Sequence, residues 1–132
     1  LRVRGEIVEG SSSEVPFFAL PTLGGATTLR GFFPDRFRGR GSLLANLELR
    51  GILFGFDFFD IWHVRLGAAA FVDAGRVFSD IGELQNEWDQ GYELSYGGGI
   101  RFILGEAILA RVDVGFSDEE SAQIFLRFGQ MF

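Results

Sequence analysis

Residues 63–75 read HVRLGAAAFVDAG, and an apolar side chain occupies every second position. Alternation with a period of two is typical of a β-strand with two different faces. One face carries Asp73 among small and aromatic residues. An acid in such a strand needs a partner or a watery surface, because an unpaired buried carboxylate is costly. The wholly apolar face is formed by Val64, Leu66, Ala68, Ala70, Val72 and Ala74.

The same alternation recurs along the chain and predicts six strands and no helix. The other five strands are expected at about residues 1–9, 45–51, 94–102, 108–116 and 123–132. A soluble β-sandwich also alternates, so the pattern alone leaves the environment open. Polar residues of both charge signs recur on the non-apolar faces, as a wet barrel lumen allows. These residues are Asn46, Glu48, Arg50, Arg65, Arg101, Arg111 and Asp113.

The connections between the predicted strands alternate in length. Long loops are expected at residues 10–38 and 77–91, short turns near 54–61 and at 104–106, and a modest acidic loop at 117–121. Long loops on one side and short turns on the other are typical of outer-membrane barrels. We therefore predict an all-β, antiparallel transmembrane β-barrel. The acidic residues 118–120 are expected to form a solvated loop tip.

An aromatic cluster surrounds the first short turn and consists of Phe54, Phe56, Phe58, Phe59 and Trp62. Aromatic girdles mark the two membrane interfaces of such barrels, and we favour that interpretation. The alternative is a corner of a soluble hydrophobic core.

The composition excludes several classes of function. The 132 residues contain no Cys and one His, so Cys-based and multi-His metal sites are ruled out. A net charge of −6 argues against a nucleic-acid partner. No apolar run approaches the roughly 20 residues of a membrane helix. No Gly-x-Ser-x-Gly elbow is present, and we expect no catalytic residue, cofactor or metal ion.

Four motifs occur in order along the chain: LRGF at residues 29–32, preceded by PFFALPTLGG at 16–25; FVDAG at 71–75; GGGIRF at 97–102 with RVDVG at 111–115; and IFLRFGQMF at 124–132. Together they resemble the BamA/TamA family of outer-membrane proteins, also called bacterial surface antigens. Two-partner secretion transporters and patatin-like outer-membrane barrels are relatives of that family. In the resemblance, Leu29, Gly31 and Phe32 belong to the loop motif, and Phe71 and Gly75 belong to the strand motif.

The resemblance implies a barrel of roughly sixteen strands in the outer membrane of a Gram-negative-type bacterium. Residues 1–132 would supply its C-terminal portion, with the loop at about 10–38 folded back into the lumen. There Arg30 would pair with Asp73, and Glu48 would be a second acidic partner. A solvated Arg30, or an Asp73 that bonds a turn, is the alternative. Phe128, Gly129 and Phe132 would form the terminal-strand signal for barrel assembly.

Three functions fit this resemblance. The first is a barrel that assists insertion or translocation of unfolded outer-membrane or secreted polypeptides. The second is a membrane anchor or pore for a passenger such as a patatin-like domain, and the third is a passive channel. Six strands cannot enclose a barrel of that size. The remaining strands are expected from the same longer chain, which we favour, or from further copies; outer-membrane lipid is the other expected partner.

Overall fold

The strands of this chain form one large antiparallel sheet and one small hairpin. The computed structural model describes residues 2–7, 16–58, 62–79, 91–104 and 107–128. The large sheet contains β1 (Arg2–Ile7), β4 (Gly41–Phe58), β5 (Trp62–Phe78), β6 (Glu93–Leu104), β7 (Ala107–Ser117) and β8 (Gln123–Phe128). The hairpin contains β2 (Thr22–Leu23) and β3 (Phe37–Arg38). A short 3-10 turn, Phe17–Ala19, precedes it.

The large sheet has the order β1-β4-β5-β6-β7-β8, and every neighbouring pair is antiparallel. The predicted all-β antiparallel class is therefore correct. The sheet is not closed within the described residues, because β1 pairs only with β4 and β8 only with β7. Among the same residues, no helix is long and apolar enough to cross a membrane.

The two faces of the sheet differ sharply in chemistry. The outer face is apolar and exposed, and Leu49, for example, keeps 72% of its surface accessible. In water, a continuous apolar face of this kind would be an unusually large patch. A barrel wall turns such a face to lipid. Further members of the outer face are Val3, Leu47, Val72, Leu94, Tyr96, Ile100, Phe116, Ile124, Leu126 and Phe128.

The inner face is covered by residues 16–40, which fold back across the sheet. Their core consists of Leu23, Leu29 and Phe32, packed on Leu44 of β4. The Phe32 ring meets the edge of Phe37 with a centroid distance of 4.9 Å. The described part of the predicted re-entrant loop thus lies on the same face as the polar residues of the strands.

Two strand boundaries differ from the sequence prediction. β4 continues to Phe58 and β5 begins at Trp62, so the predicted turn at 54–61 is mostly strand. A register shift between Ile52 and Phe54 keeps the strands paired through the aromatic run. With 18 and 17 residues, β4 and β5 exceed the roughly 9–11 residues that a tilted strand needs to cross a membrane.

Some predicted features lie outside the described residues. They are Gly129 and Phe132 of the terminal signal, Phe59, residues 8–15 and 80–90 of the two long loops, and Gly105 and Glu106 of the tight turn. The side chains of Phe58 and Trp62 are also outside that description. Of the predicted girdle, Phe54 and Phe56 lie on the outer face and are 61% and 55% exposed. The girdle itself stays a prediction.

Candidate functional site

The Arg30 side chain enters the inner face of the sheet and meets two carboxylates. Its Nε donates to Asp73 Oδ2 at 2.8 Å, and its Nη2 donates to Asp73 Oδ1 at 2.7 Å. Its Nη1 donates to Glu48 Oε2 at 2.5 Å. The backbone N–H of Arg30 adds a contact to Asp73 Oδ2 at 3.2 Å. The two parallel bonds to Asp73 form the bidentate geometry that suits a guanidinium fork. We call these three residues the loop-to-wall ion pair.

Strand register brings the two carboxylates to the same place. Asn46 on β4 lies opposite Asp73 on β5, and Glu48 lies opposite Phe71. Because side chains two positions apart share a face of a strand, Glu48 and Asp73 are diagonal neighbours. Asn46 Nδ2 donates to Asp73 Oδ1 and to the Thr28 carbonyl, both at 2.8 Å. Asn46 therefore ties the loop to the wall beside Arg30.

Phe71 forms the floor beneath the ion pair. The Arg30 Cζ lies 3.5 Å from the centroid of the Phe71 ring, and Phe71 is 3% exposed. A guanidinium over a desolvated aromatic face gains a cation–π attraction. From the sequence, Phe71 was predicted only to be part of the strand motif. The available signal was its position two residues before Asp73, which puts both side chains on one face of β5.

Burial and charge act in opposite directions on Arg30. Its side chain is 6% exposed, and that of Asp73 is fully buried. Burial disfavours the charged guanidinium, but the hydrogen bonds to Asp73 and Glu48 outweigh it and raise the pKa of Arg30 above its ordinary value. The arginine therefore stays charged, and the contact does not titrate through loss of the Arg30 proton near neutral pH.

Further charges connect the ion pair to other strands. Glu48 Oε1 accepts from Arg50 Nε at 2.5 Å and from Arg101 Nη2 at 3.2 Å. Arg101 Nη1 donates to Asp113 Oδ1 at 2.7 Å, and Arg111 Nη2 lies 2.7 Å from Asp113 Oδ2. Of the predicted lumen charges, Arg50, Arg101, Arg111 and Asp113 thus form a network with Glu48 that reaches from β4 to β7. Sequence alone did not connect them, because the connection depends on register.

Arg65 lies on the same inner face but at another level of the sheet. It stands opposite Gly55 on β4 and Ile103 on β6. The ion pair, by contrast, sits at the level of Asp73 and Glu48. Arg65 precedes Asp73 by eight residues on β5, so the two lie about 26 Å apart along the strand.

The remaining motif residues fix the loop backbone against the sheet. A Cβ at Gly115 of β7 would overlap the Arg30 carbonyl group, and one at Gly75 would lie 2.9 Å from Leu23 Cδ1. Position 115 therefore requires glycine for close approach of the loop, whereas at position 75 the contacting atoms are the ends of leucine side chains, which can shift. Gly31 is buried in the loop, and its carbonyl accepts from Ser117 Oγ at 2.9 Å.

The bend after β7 also contacts the loop, which corrects one expectation. Glu120 Oε2 accepts from the Phe33 N–H at 2.9 Å, and Arg36 Nε lies 3.3 Å from Glu120 Oε1. The Glu120 side chain is only 10% exposed. The prediction of a purely solvated acidic tip is therefore wrong for Glu120. Glu120 is partly buried because the loop supplies a backbone N–H donor from Phe33 and the cation of Arg36.

The site is a network of ion pairs between arginines and carboxylates. Its carboxylates pair with arginines, and none of them contacts a side chain that could serve as a nucleophile among the described residues. Among the described residues, no group of three or more His, Cys, Asp or Glu side chains could hold a metal ion.

Of the predicted terminal signal, Phe128 lies at the end of β8 on the outer face and is 80% exposed.

Comparison with known proteins gives one match. The Omp85 superfamily domain matches the chain over residues 1–132. No curated protein matches it, and no solved structure does.

Proposed function

The chain belongs to the Omp85 superfamily, whose members insert or translocate proteins at the bacterial outer membrane, and we propose that it forms part of a BamA/TamA-type barrel wall. In this proposal, the barrel assists an unfolded polypeptide across or into that membrane. The client is an outer-membrane or secreted chain. No cofactor or bond chemistry enters this function. The observation that carries the proposal is the division of one sheet into an apolar exposed face and a charged face that holds the Arg30 loop.

The loop-to-wall ion pair has a structural role in this proposal. A long loop has many conformations to lose, and a buried contact at its middle restricts them. Arg30 makes that contact with Asp73 and Glu48 on two adjacent strands. In the proposed role, the loop is fixed to the inner wall and stabilises one conformation of the barrel while a client is inserted or translocated. The ion pair does not itself bind the client.

The edge of the sheet at β8 is the proposed template for the client. Within the described residues, β8 pairs on one side only, with β7. An edge with free N–H and C=O groups can add a further strand, which is β-augmentation. In lipid, such an edge must be satisfied by another strand. We propose that it alternates between a strand of the same barrel and a strand of the client.

Site-directed crosslinking tests this function. The 132 residues contain no Cys, so single cysteines can be placed at Ile124 and Leu126 of β8 in the full-length protein. We expect each, under a mild oxidant, to form disulfide adducts with an unfolded client that carries one introduced cysteine. The matched control is Val72→Cys on β5, which is also on the outer face but paired on both sides. Its yield of client adduct should be at background.

Three results would contradict the proposal. Equal adduct yields at β5 and β8 would show that the edge has no special role. Ion conductance in liposomes without any client adduct or effect on client insertion would indicate a passive channel instead. Adducts with a covalently attached passenger domain alone would favour the anchor function.

A further inference from the structure

Three arginines occupy one register row of the inner face. Arg101 on β6 lies directly opposite Arg111 on β7, and Arg111 lies directly opposite Arg127 on β8. Directly opposed residues have Cβ atoms about 5 Å apart, and like charges there are destabilising. A row of this kind therefore requires negative charge close by.

The carboxylates of the network do not supply enough negative charge. Asp113 serves Arg101 and Arg111 together, and Glu48 serves Arg30, Arg50 and Arg101. Among the described residues, Arg2 and Arg127 have no carboxylate partner. Six arginines (Arg2, Arg30, Arg50, Arg101, Arg111 and Arg127) thus face three carboxylates (Glu48, Asp73 and Asp113). The local excess is positive, although the chain as a whole carries −6.

The excess charge surrounds a cavity. The cavity has a volume of about 390 Å³ and lies below the tip of the loop, between residues 26–30 and the sheet. Five of its lining residues are arginines, and Glu48 is the one acid in that lining. The Nε of Arg111 is buried and has no hydrogen-bond acceptor among the described residues. A buried guanidinium N–H without an acceptor is rare, so an acceptor from a bound ligand is expected beside it.

We propose that this cavity is a binding site for a phosphate-type oxyanion, held by Arg2, Arg111 and Arg127. A phosphate group carries close to two negative charges near neutral pH and offers three or more acceptor oxygens. A single carboxylate offers one charge and two oxygens, so it leaves more of the local excess uncompensated. Guanidinium forks bind phosphate oxygens bidentately. The walls of the cavity, which have a lower dielectric constant than water, focus the positive field of the arginines.

The proposal does not depend on the proposed function, because it requires only the inner-face arginines. The same dianionic phosphate chemistry occurs in inorganic phosphate and in a phosphomonoester lipid headgroup such as that of phosphatidate. An acidic stretch of a client polypeptide is a different occupant, and the test separates it from both.

Calorimetric titration of the full-length protein in zwitterionic detergent at low salt tests the site. We expect inorganic phosphate to bind saturably. Arg127→Gln should weaken that binding about tenfold or more, as expected for a lost charge-assisted bond. Because Arg127 has no carboxylate partner among the described residues, this substitution leaves the loop-to-wall ion pair intact. Arg111→Gln is the second variant and should show a similar loss.

The matched control is Arg65→Gln. It removes one positive charge from the same face but lies outside the cavity lining. Its phosphate affinity should stay within about twofold of the unaltered protein, since it loses only screened long-range attraction. A loss as large as that of Arg127→Gln would show non-specific charge attraction and overturn the site.

Two further ligands identify the source of the phosphate group. Dihexanoyl phosphatidate that competes more strongly than inorganic phosphate would support a lipid headgroup, and equal competition would support a free phosphate. Absence of saturable binding by both would overturn the proposal. Binding of hexaglutamate without binding of phosphate would also overturn it, in favour of an acidic polypeptide segment.

Discussion

Asp73 is a fully buried carboxylate whose partners are all donors from Arg30 and Asn46. Removing Arg30 would leave the Asp73 carboxylate without a counter-charge and would also remove one of the three arginines that contact Glu48. Breaking a buried ion pair in this way costs about 3–5 kcal/mol. We therefore predict that Arg30→Ala lowers the stability of the full-length barrel by about that amount and raises protease cleavage within residues 16–40. Strand content, measured by circular dichroism, should be retained.

A double-mutant cycle shows whether the two residues act together. Asp73→Asn should resemble Arg30→Ala, and the double variant should be no worse than either single variant. Arg36→Ala is the control in the same loop. It should cost less than Arg30→Ala, because Arg36 and Glu119 are both half exposed and Glu120 keeps its bond from the Phe33 N–H. Additive losses in the double variant would refute the pairing as the source of the stability.

Sequence could predict a partner for Asp73, because strand alternation isolates its charge on one face. It could also nominate Arg30 and Glu48 through the resemblance. It could not predict that Phe71 lies beneath the guanidinium or that Asn46 bridges to the Thr28 carbonyl. Both depend on the register between β4 and β5 and on the path of the loop. Neither is encoded by local spacing.

At the scale of elements, the loop and the sheet meet backbone to backbone. Gly115 on β7 faces the Arg30 carbonyl so closely that a Cβ would overlap it. Backbone atoms cannot move aside as a flexible side chain can. We predict that Gly115→Ala displaces the loop, weakens the loop-to-wall ion pair and raises cleavage within residues 16–40, at a cost of about 1–3 kcal/mol, as for other overpacked sites. Limited proteolysis and thermal unfolding of the full-length protein measure both effects.

Gly51→Ala is the matched control for this prediction. Gly51 is also in a strand of the large sheet, but a Cβ there meets nothing within 4 Å. An added methyl group should leave proteolysis unchanged. If Gly115→Ala and Gly51→Ala behave alike, close loop approach is not the reason for glycine at position 115.

The elements themselves were largely predictable, since period-two alternation marks each long strand. Their ends were not. The aromatic residues near 54–58 read as a turn, yet the shift at Ile52 and Phe54 lets pairing continue to Phe58. The hairpin of β2 and β3 and the contact of Glu120 with the loop were also missed. They are held by tertiary contacts that leave no periodic pattern.

At the scale of the whole molecule, the order of the sheet follows from sequence, because each long strand pairs with the next one along the chain. The order of the strands does not determine whether each face of the sheet contacts lipid, water or protein. An apolar face that is exposed along six strands is stable only against lipid or another apolar surface. A soluble sandwich would instead bury that face in a core. A substitution that distinguishes lipid from water therefore tests the architecture as a whole.

Leu49 and Phe18 provide this test, since both are large apolar residues with similar exposure, 72% and 75%. Leu49 lies midway along β4 on the outer face, whereas Phe18 lies in the loop. We predict that Leu49→Arg destabilises the protein by about 2–4 kcal/mol in a bilayer, the cost of an arginine at the midplane on a lipid-facing strand. Phe18→Arg should destabilise the protein less than Leu49→Arg does, because Phe18 lies in the loop and not on the outer face of the sheet. Unfolding in lipid vesicles measures both values, and equal effects of the two variants would contradict a lipid-facing outer face.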